Sequence, residues 1–313
     1  MYNIKDITSI YTQPLLQLID NARSIHLQMT RTNPEQAKME MCNIISVKTG
    51  GCPEDCSYCS QSNQHKTQIK INPLLANTEV EKQIKYAKQR GVTRVCLGAA
   101  YKSPPTKALN KICEYIKVIK YHKLEACATL GSITLPQAQQ LKYAGLDFYN
   151  HNIDTSPEYY KKIVTTHTFA DRVATIANVG RANLKICCGG ILGLGENRQD
   201  RIKFIKALID LPYVPESIPI NLLVNVPGTK LANVPPLDKF EMVRTIATLR
   251  TIFPTSRIRL SAGRKDFTQL EQALCFLAGA NSIWYGDTLL TTPNTAPDED
   301  EALLAKLGME KYA

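Results

Sequence analysis

Three cysteines fall within eight residues, Cys52-Pro53-Glu54-Asp55-Cys56-Ser57-Tyr58-Cys59, directly after the apolar run Ile44-Ile45-Ser46-Val47. A structural zinc site takes four protein ligands, and a disulfide framework needs partners at distances the chain can bridge. Three close thiols with no fourth nearby suit a cubane iron-sulfur cluster with one iron left open. Such an iron can bind a substrate or cofactor directly, whereas a fully ligated cluster only passes electrons. Zinc binding and unligated buried thiols are the alternatives.

Three further thiols, Cys96, Cys127 and Cys187, each lie in a different strand-like segment. Each could point into a sheet interior, and each could equally pack as a small hydrophobe. Arg259 stands in another such segment, Ile258-Arg259-Leu260-Ser261, where a buried guanidinium needs a partner. On its chemistry it is a carboxylate or substrate clamp, because a group with a pKa above about 12 is a poor metal ligand. Asn150, Asn152 and Asp154 share one side of an extended segment, with His151 facing the other way as a structural residue. Asn221 is an amide inside an apolar strand. Gly189 to Gly195 lacks both dinucleotide and phosphate-loop signatures. Cys42, Cys113 and Cys275 read as packing residues.

The elements that must hold these residues are legible. From Asn43 onward, eight strand candidates (43–48, 92–98, 124–129, 147–152, 184–190, 217–223, 257–261 and 282–285) alternate with amphipathic helical stretches. Thr78 to Glu81 opens a helix that stops at Gly91, and Thr134 to Tyr143 is another, stopping at Gly145. This order predicts an α/β fold: a TIM-type (β/α)8 barrel over residues 41–313, preceded by an N-terminal helical extension over residues 1–40. Pro293 to Asp300 reads as a loop before a last helix at 300–307. In such barrels chemistry sits at the C-terminal ends of the strands, where the Cys52 to Cys59 loop falls.

The 313 residues, 44% hydrophobic and 21% charged, suffice for one large domain. No apolar run approaches the roughly 20 residues of a membrane span, and Met1 to Asp20 lacks secretory patterning, so no membrane association and a reducing cytoplasm are expected. The net charge of +10 is spread over helical faces, for example Lys82, Lys85, Lys88 and Arg90, so no nucleic-acid partner is expected.

The Cys52 to Cys59 spacing is that of the radical S-adenosylmethionine enzymes. From about Met41 onward the chain resembles the biotin synthase family within that superfamily. The matching segments are Lys48 to Ser62, Gly98-Ala99-Ala100, Tyr149 to Ser156, Gly189 to Glu196 and Arg259 to Arg264. The resemblance implies sulfur insertion into dethiobiotin to form biotin, with S-adenosylmethionine as co-substrate. It implies a [4Fe-4S] cluster on Cys52, Cys56 and Cys59, and a [2Fe-2S] cluster on Cys96, Cys127, Cys187 and Arg259. Cys188, beside Cys187, departs from the small hydroxyl residue common there; alternation along a strand leaves only one of the two facing inward, and Cys187 is the matched position. Tyr58, Asn152, Asp154, Arg172, Gly190 and Ile191 are implied as cofactor contacts, the glycine run allowing close approach of the adenosyl group. Asn150, Asn152, Asn221, Thr291 and Thr292 are implied as substrate contacts. No side chain is expected to act as an acid or base. A reductant such as flavodoxin or ferredoxin and a homodimer are implied partners. Another radical enzyme without a sulfur donor is the nearest rival, and the strand cysteines argue against it.

Overall fold

From Glu40 to Lys306 short apolar β-segments alternate with helices, with one exception in the middle of the chain, and several of the helices are opened by a side-chain cap. The computed structural model describes residues 2–312. Two helices come first, α1 (Ile4–Tyr11) and α2 (Leu15–Thr32). Then follow β1 (Glu40–Lys48), α3 (Asn77–Gln89), β2 (Arg94–Ala99), α4 (Thr106–Tyr121), β3 (Glu125–Thr129), α5 (Leu135–Tyr143) and β4 (Phe148–Asn150). Next are α6 (Pro157–Ile163), α7 (Phe169–Arg181), β5 (Lys185–Cys187), β6 (Gly190–Leu192), α8 (Arg198–Ile209), β7 (Ser217–Leu222) and α9 (Lys239–Ile252). The chain ends with β8 (Arg257–Leu260), α10 (Gln269–Leu277), β9 (Ser282–Trp284) and α11 (Pro297–Lys306). Reciprocal capping boxes start several helices: Thr134 with Gln137, Thr168 with Asp171, and Thr268 with Glu271. The last helix begins at Pro297, so part of the expected Pro293 to Asp300 loop is helical; Pro at the first turn is compatible with this.

All pairings between named strands are parallel, and the sheet closes through the pairing of Cys187 on β5 with Ser217 on β7. The barrel thus has eight staves, the fifth broken into β5 and β6. The cause lies at Cys188-Gly189, opposite Pro219 of β7. Pro219 brings no N–H to the ladder, and its carbonyl oxygen lies only 1.9 Å from where a Cβ on Gly189 would sit.

Helices α1 and α2 pack outside the barrel, α1 against α8 and α9 and α2 against α9. Tyr11 anchors α1 in a buried polar group: its hydroxyl lies 3.2 Å from Glu241 and accepts from Arg201 at 3.1 Å. One core fills the space between sheet and helices. A second, smaller one fills the barrel interior with Cys42, Cys96, Cys127, Phe148, Cys187 and Trp284. No described helix is long and apolar enough to cross a membrane.

Candidate active site

The Cys52 to Cys59 loop follows β1 through Gly50 and Gly51, both at positive φ (70° and 68°), which turn the chain over the barrel mouth. Lys48 holds the turn from inside, donating from Nζ to the carbonyls of Gly50 and of Ala100, the latter at 2.7 Å. The loop closes on itself: the Cys52 amide donates to the Gln61 carbonyl at 3.0 Å, and the Cys59 amide to the Cys56 carbonyl at 2.9 Å. The intervening acids tie it to the connection between α6 and α7. Asp55 Oδ1 accepts the Thr165 amide at 2.9 Å, Glu54 Oε2 lies 2.7 Å from His167 Nδ1, and the Ser57 amide donates to the Ile163 carbonyl at 2.8 Å. Burial pushes the Cys52 and Cys56 thiols up from their ordinary values, so ligation would carry the release of their protons.

The three thiols border a cavity of about 350 Å³ at the C-terminal end of the barrel. Its floor and walls hold Asn150, Asn152, Asp154, Arg172, Ile191, Asn221, Thr291 and Thr292, so these candidates converge. Tyr58 donates to Asp154 Oδ2 at 2.8 Å, and Arg172 pairs with the same oxygen at 3.0 Å while donating to the Tyr160 hydroxyl at 2.8 Å. A tyrosine from the cysteine loop and an arginine from α7 thereby fix one carboxylate.

Several details differ from the expectation. Asp154 has φ 65°, outside extended geometry, and β4 ends at Asn150, so strand alternation does not carry Asp154 to the cavity; a left-handed turn does. His151 does not face away: it is buried, its ring centroid 6.3 Å from that of Tyr149, and it borders the cavity with Nε2 unpartnered. Gly189 and Gly190 are explained by packing within the barrel wall. A Cβ on Gly190 would lie 2.6 Å from the Asp154 carbonyl oxygen and 2.6 Å from the Phe204 ring. Asn152 Oδ1 accepts the Gly189 amide at 3.0 Å. Asn221 spends both ends of its amide on neighbouring strands, donating to the Gly190 carbonyl at 3.0 Å and accepting the Ala262 amide at 3.2 Å. Thr291 Oγ1 lies 2.8 Å from Ser60 Oγ.

Beneath this cavity, fully enclosed, lies the second thiol group. Cys96 on β2 is in register with Cys127 on β3, and Asn150 on β4 with Cys187 on β5. Cys187 faces the barrel interior, and Cys188 packs in the outer core. Arg259 enters from β8 with no exposed surface. Its Nη1 is 3.8 Å from Cys187 Sγ, its Nη2 donates to Glu40 Oε2 at 3.1 Å, and its Nε donates to Ser282 Oγ at 2.9 Å. Trp284 stacks on it, 4.4 Å from ring centroid to guanidinium carbon.

Cys42 requires a correction. Strand β1 begins at Glu40, three residues before the expected start, so Cys42 is an inward residue of the barrel. Its Sγ accepts from Arg259 Nη2 at 2.9 Å, and it shares one buried cluster with the other strand thiols. Glu40, which sequence reasoning missed, is the carboxylate partner a buried Arg259 needs, and it also pairs with Arg94 at 2.7 Å. Burial alone would raise the Glu40 carboxyl, but Arg94 and Arg259 outweigh it and hold it down to about 2.

Among the described residues, no three His, Cys, Asp or Glu side chains close around a point as on a single metal ion. A group several ångströms wide fits better at both places. Three thiols facing a cavity that also presents Asp154 suit a cluster with one open position. Four enclosed thiols beside two arginines suit an anionic one. Arg94 Nη1, on a guanidinium influenced by Cys42 and Cys127, is buried without a hydrogen-bond partner, and an anionic group there would satisfy it.

Comparison with known proteins defines the class. The Radical SAM superfamily profile matches residues 46–208, and the Biotin and Thiamin Synthesis associated domain matches residues 219–310. With a closed parallel barrel and a three-cysteine loop after β1, the chain is a member of the radical SAM superfamily. A solved methylornithine synthase shares the fold, with a TM-score of 0.82 at 18% identity over 99% of this chain and 94% of that one. So does the FeFe-hydrogenase maturase from Carboxydothermus hydrogenoformans, with a TM-score of 0.81 at 17% identity over 98% of this chain and 75% of that one. Within the superfamily, the chain belongs to the biotin synthase family. It is 49% identical over 309 residues to a biotin synthase of Coxiella burnetii, covering 99% of this chain and 95% of that protein. It is 48% identical over 312 residues to one of Legionella pneumophila, covering 100% and 98%.

Proposed function

We propose that this protein inserts sulfur into dethiobiotin to form biotin, with S-adenosylmethionine as co-substrate. The observation that carries the reading is the stacking of two thiol groups in one barrel: one bordering the cavity, the other sealed beneath it. Cys52, Cys56 and Cys59 would hold a [4Fe-4S] cluster, and Cys96, Cys127 and Cys187, with Arg259 at the fourth position, a [2Fe-2S] cluster. When bound, the first would supply the electron that cleaves S-adenosylmethionine to methionine and a 5′-deoxyadenosyl radical, and the second would supply the sulfur.

The chain's own residues do the positioning. Asp154 has Oδ2 committed to Tyr58 and Arg172, which leaves Oδ1 for a ribose hydroxyl and keeps the carboxylate from swinging. Tyr58 and Ile191 supply apolar surface against the adenosyl group. Asn221 retains one N–H and one carbonyl lone pair for the ureido ring of dethiobiotin, and Asn150 and Asn152 line the same cavity. Thr291 and Thr292 would meet the carboxylate tail. Unactivated C–H groups have no useful acidity, so no acid or base is needed; the barrel instead excludes water from a reactive radical. A reductant such as flavodoxin or ferredoxin, a homodimeric assembly and a cytoplasmic setting belong to the same reading.

The test is product analysis after anaerobic cluster loading. Wild type should form biotin with 5′-deoxyadenosine. Cys56→Ala should form neither, while Cys127→Ala should still form 5′-deoxyadenosine but no biotin. Equal loss of both products in the two variants would refute the division of labour.

A further inference from the structure

Resting on the reading that Cys52, Cys56 and Cys59 hold a [4Fe-4S] cluster, we propose that the outer face of the cysteine loop is the docking surface for a small acidic protein that carries single electrons. Each cleavage of S-adenosylmethionine consumes one electron. A protein carrier is too large for a cavity of about 350 Å³, so it must reach the loop from outside. That approach is open at one edge, where Pro53 is exposed and Cys52 and Cys59 are only half-buried.

The surroundings of that edge carry one sign of charge. Four segments border the loop, 60–76, 99–113, 159–170 and 217–237, and none of them contains an Asp or Glu. Lys102 Nζ lies 3.2 Å from Glu54 Oε1 and Lys230 Nζ 3.9 Å from Asp55 Oδ2, which places both lysines at the loop. The Thr165 and Thr166 amides donate to Asp55, which brings Lys162 alongside. The Lys66 carbonyl crowds the position a Cβ on Gly228 would take, so the segment carrying Lys66 and Lys70 runs beside the one carrying Lys230. All five lysines are exposed, and Lys66, Lys70 and Lys162 pair with no carboxylate among the described residues. The loop's own acids, Glu54 and Asp55, are buried beneath them. Ile71, 70% exposed, packs over Gly50 and Gly51 and gives the face an apolar centre inside a charged rim.

The chemistry selects the partner. A carrier with an acidic face is drawn to such a rim by long-range attraction, which raises the encounter rate and sets the orientation of approach. In the step itself the reduced carrier loses one electron and the cluster gains it; no bond is made or broken at the surface and no proton moves. A nucleic acid would meet the same charge but supplies no electron, and none of the four segments presents an exposed aromatic ring on which a base could stack.

The test uses cluster-loaded protein and a bacterial flavodoxin, with binding read by isothermal titration calorimetry and cluster reduction by flavodoxin hydroquinone read by stopped flow. Two double charge reversals are compared. Lys66→Glu/Lys70→Glu lies on the rim, and Lys117→Glu/Lys142→Glu lies near the C-terminal ends of α4 and α5, at the opposite end of the barrel. At about 0.01 M salt the rim variant should lose roughly tenfold or more in affinity and in reduction rate, and the control less than about twofold. The difference should shrink at about 0.15 M, where the screening length has fallen from about 30 Å to about 8 Å. Dithionite needs no docking surface and should support 5′-deoxyadenosine formation equally in wild type and both variants. Equal weakening by the two reversals, weakening by neither, or a rim variant just as defective with dithionite would overturn the docking surface and leave the cluster reading intact. Absence of 5′-deoxyadenosine from dithionite-reduced wild type would overturn both.

Discussion

Replacing Glu40 by Gln removes one carboxylate from between two buried arginines. Glu40 is 2% exposed, with contacts to Arg94 at 2.7 Å, Arg259 at 3.1 Å and Ser282 at 2.7 Å. Gln fills the same space and keeps a hydrogen bond but not the charge. Breaking a buried ion pair from one side costs about 3–5 kcal/mol. Arg94 retains Glu125 at 2.9 Å and the face of Phe148, whereas Arg259 has no other carboxylate, so the lower end of about 3 kcal/mol applies. With an unfolding entropy of about 2.1 cal/mol/K per residue, 313 residues give about 0.66 kcal/mol/K, and Tm should fall by about 5 °C. The assay is thermal denaturation of the metal-free chain followed by circular dichroism. The pH dependence provides a second check. The Glu40 carboxyl is held at about 2 against an ordinary value of 4.5, so its contribution is fully present above pH 4.5 and is lost as pH falls through 2. The gap between wild type and variant should hold from pH 7 to about 4.5 and narrow below. A Tm within 1 °C of wild type at pH 7 would refute the claim that Glu40 is what makes Arg259 tolerable in the barrel.

Three further outcomes follow from the same reasoning. His26 on α2 is held down to about 3 by burial and by Arg250, Arg257 and Arg23, so below pH 6.5 the unfolded chain takes up a proton that the folded one refuses. Stability should drop by about 1.4 kcal/mol per pH unit below 6.5, and His26→Gln should gain about 3 °C on wild type at pH 5 and nothing at pH 7; an equal shift at both would contradict this. Gly189→Ala would drive a Cβ into the Pro219 backbone and should leave the chain insoluble or cost several kcal/mol, whereas Gly91→Ala, which meets nothing within 4 Å but has φ 77°, should cost only about 1 kcal/mol; similar melting curves for the two would be evidence against the close approach at the barrel seam. Asp154→Asn keeps the shape but loses the charge that Arg172 faces, and should weaken S-adenosylmethionine binding roughly tenfold or more by equilibrium dialysis; an unchanged Kd would remove Asp154 from the ribose site.

The eight staves were legible because parallel strands buried on both faces read as short apolar runs between capped helices. The cysteine loop was legible because its spacing is local. Glu40 and Cys42 were not, because a glutamate at the start of a strand gives no β signal, and the cation that justifies it is 219 residues away. With β1 cut short at Asn43, Cys42 fell outside the barrel and read as packing. The same long-range blindness hid the roles of Glu54 and Asp55. Their partners, Thr165 and His167, are 110 and 113 residues away, and nothing in Pro-Glu-Asp announces a clamp. Alternation put Asp154 on one side with Asn150 and Asn152, and it borders the same cavity as they do, although the backbone reaches it through a left-handed turn that a single sequence does not reveal. The glycines at 189 and 190 carry a local signal, but its cause, the closeness of β7 and of the Asp154 carbonyl, exists only once the barrel closes.

The central claim is that a sulfide of the cluster held by the sealed thiols of this chain ends in the product. The most direct measurement is a single turnover on protein reconstituted with ³⁴S-sulfide, freed of excess sulfide, and given dethiobiotin, S-adenosylmethionine and a reductant without oxygen, the biotin being read by mass spectrometry. The account predicts one ³⁴S atom in each biotin from wild type, and 5′-deoxyadenosine without biotin from the Cys96→Ala/Cys127→Ala/Cys187→Ala variant. Biotin carrying unlabelled sulfur, or biotin formed equally well by the triple variant, would contradict it.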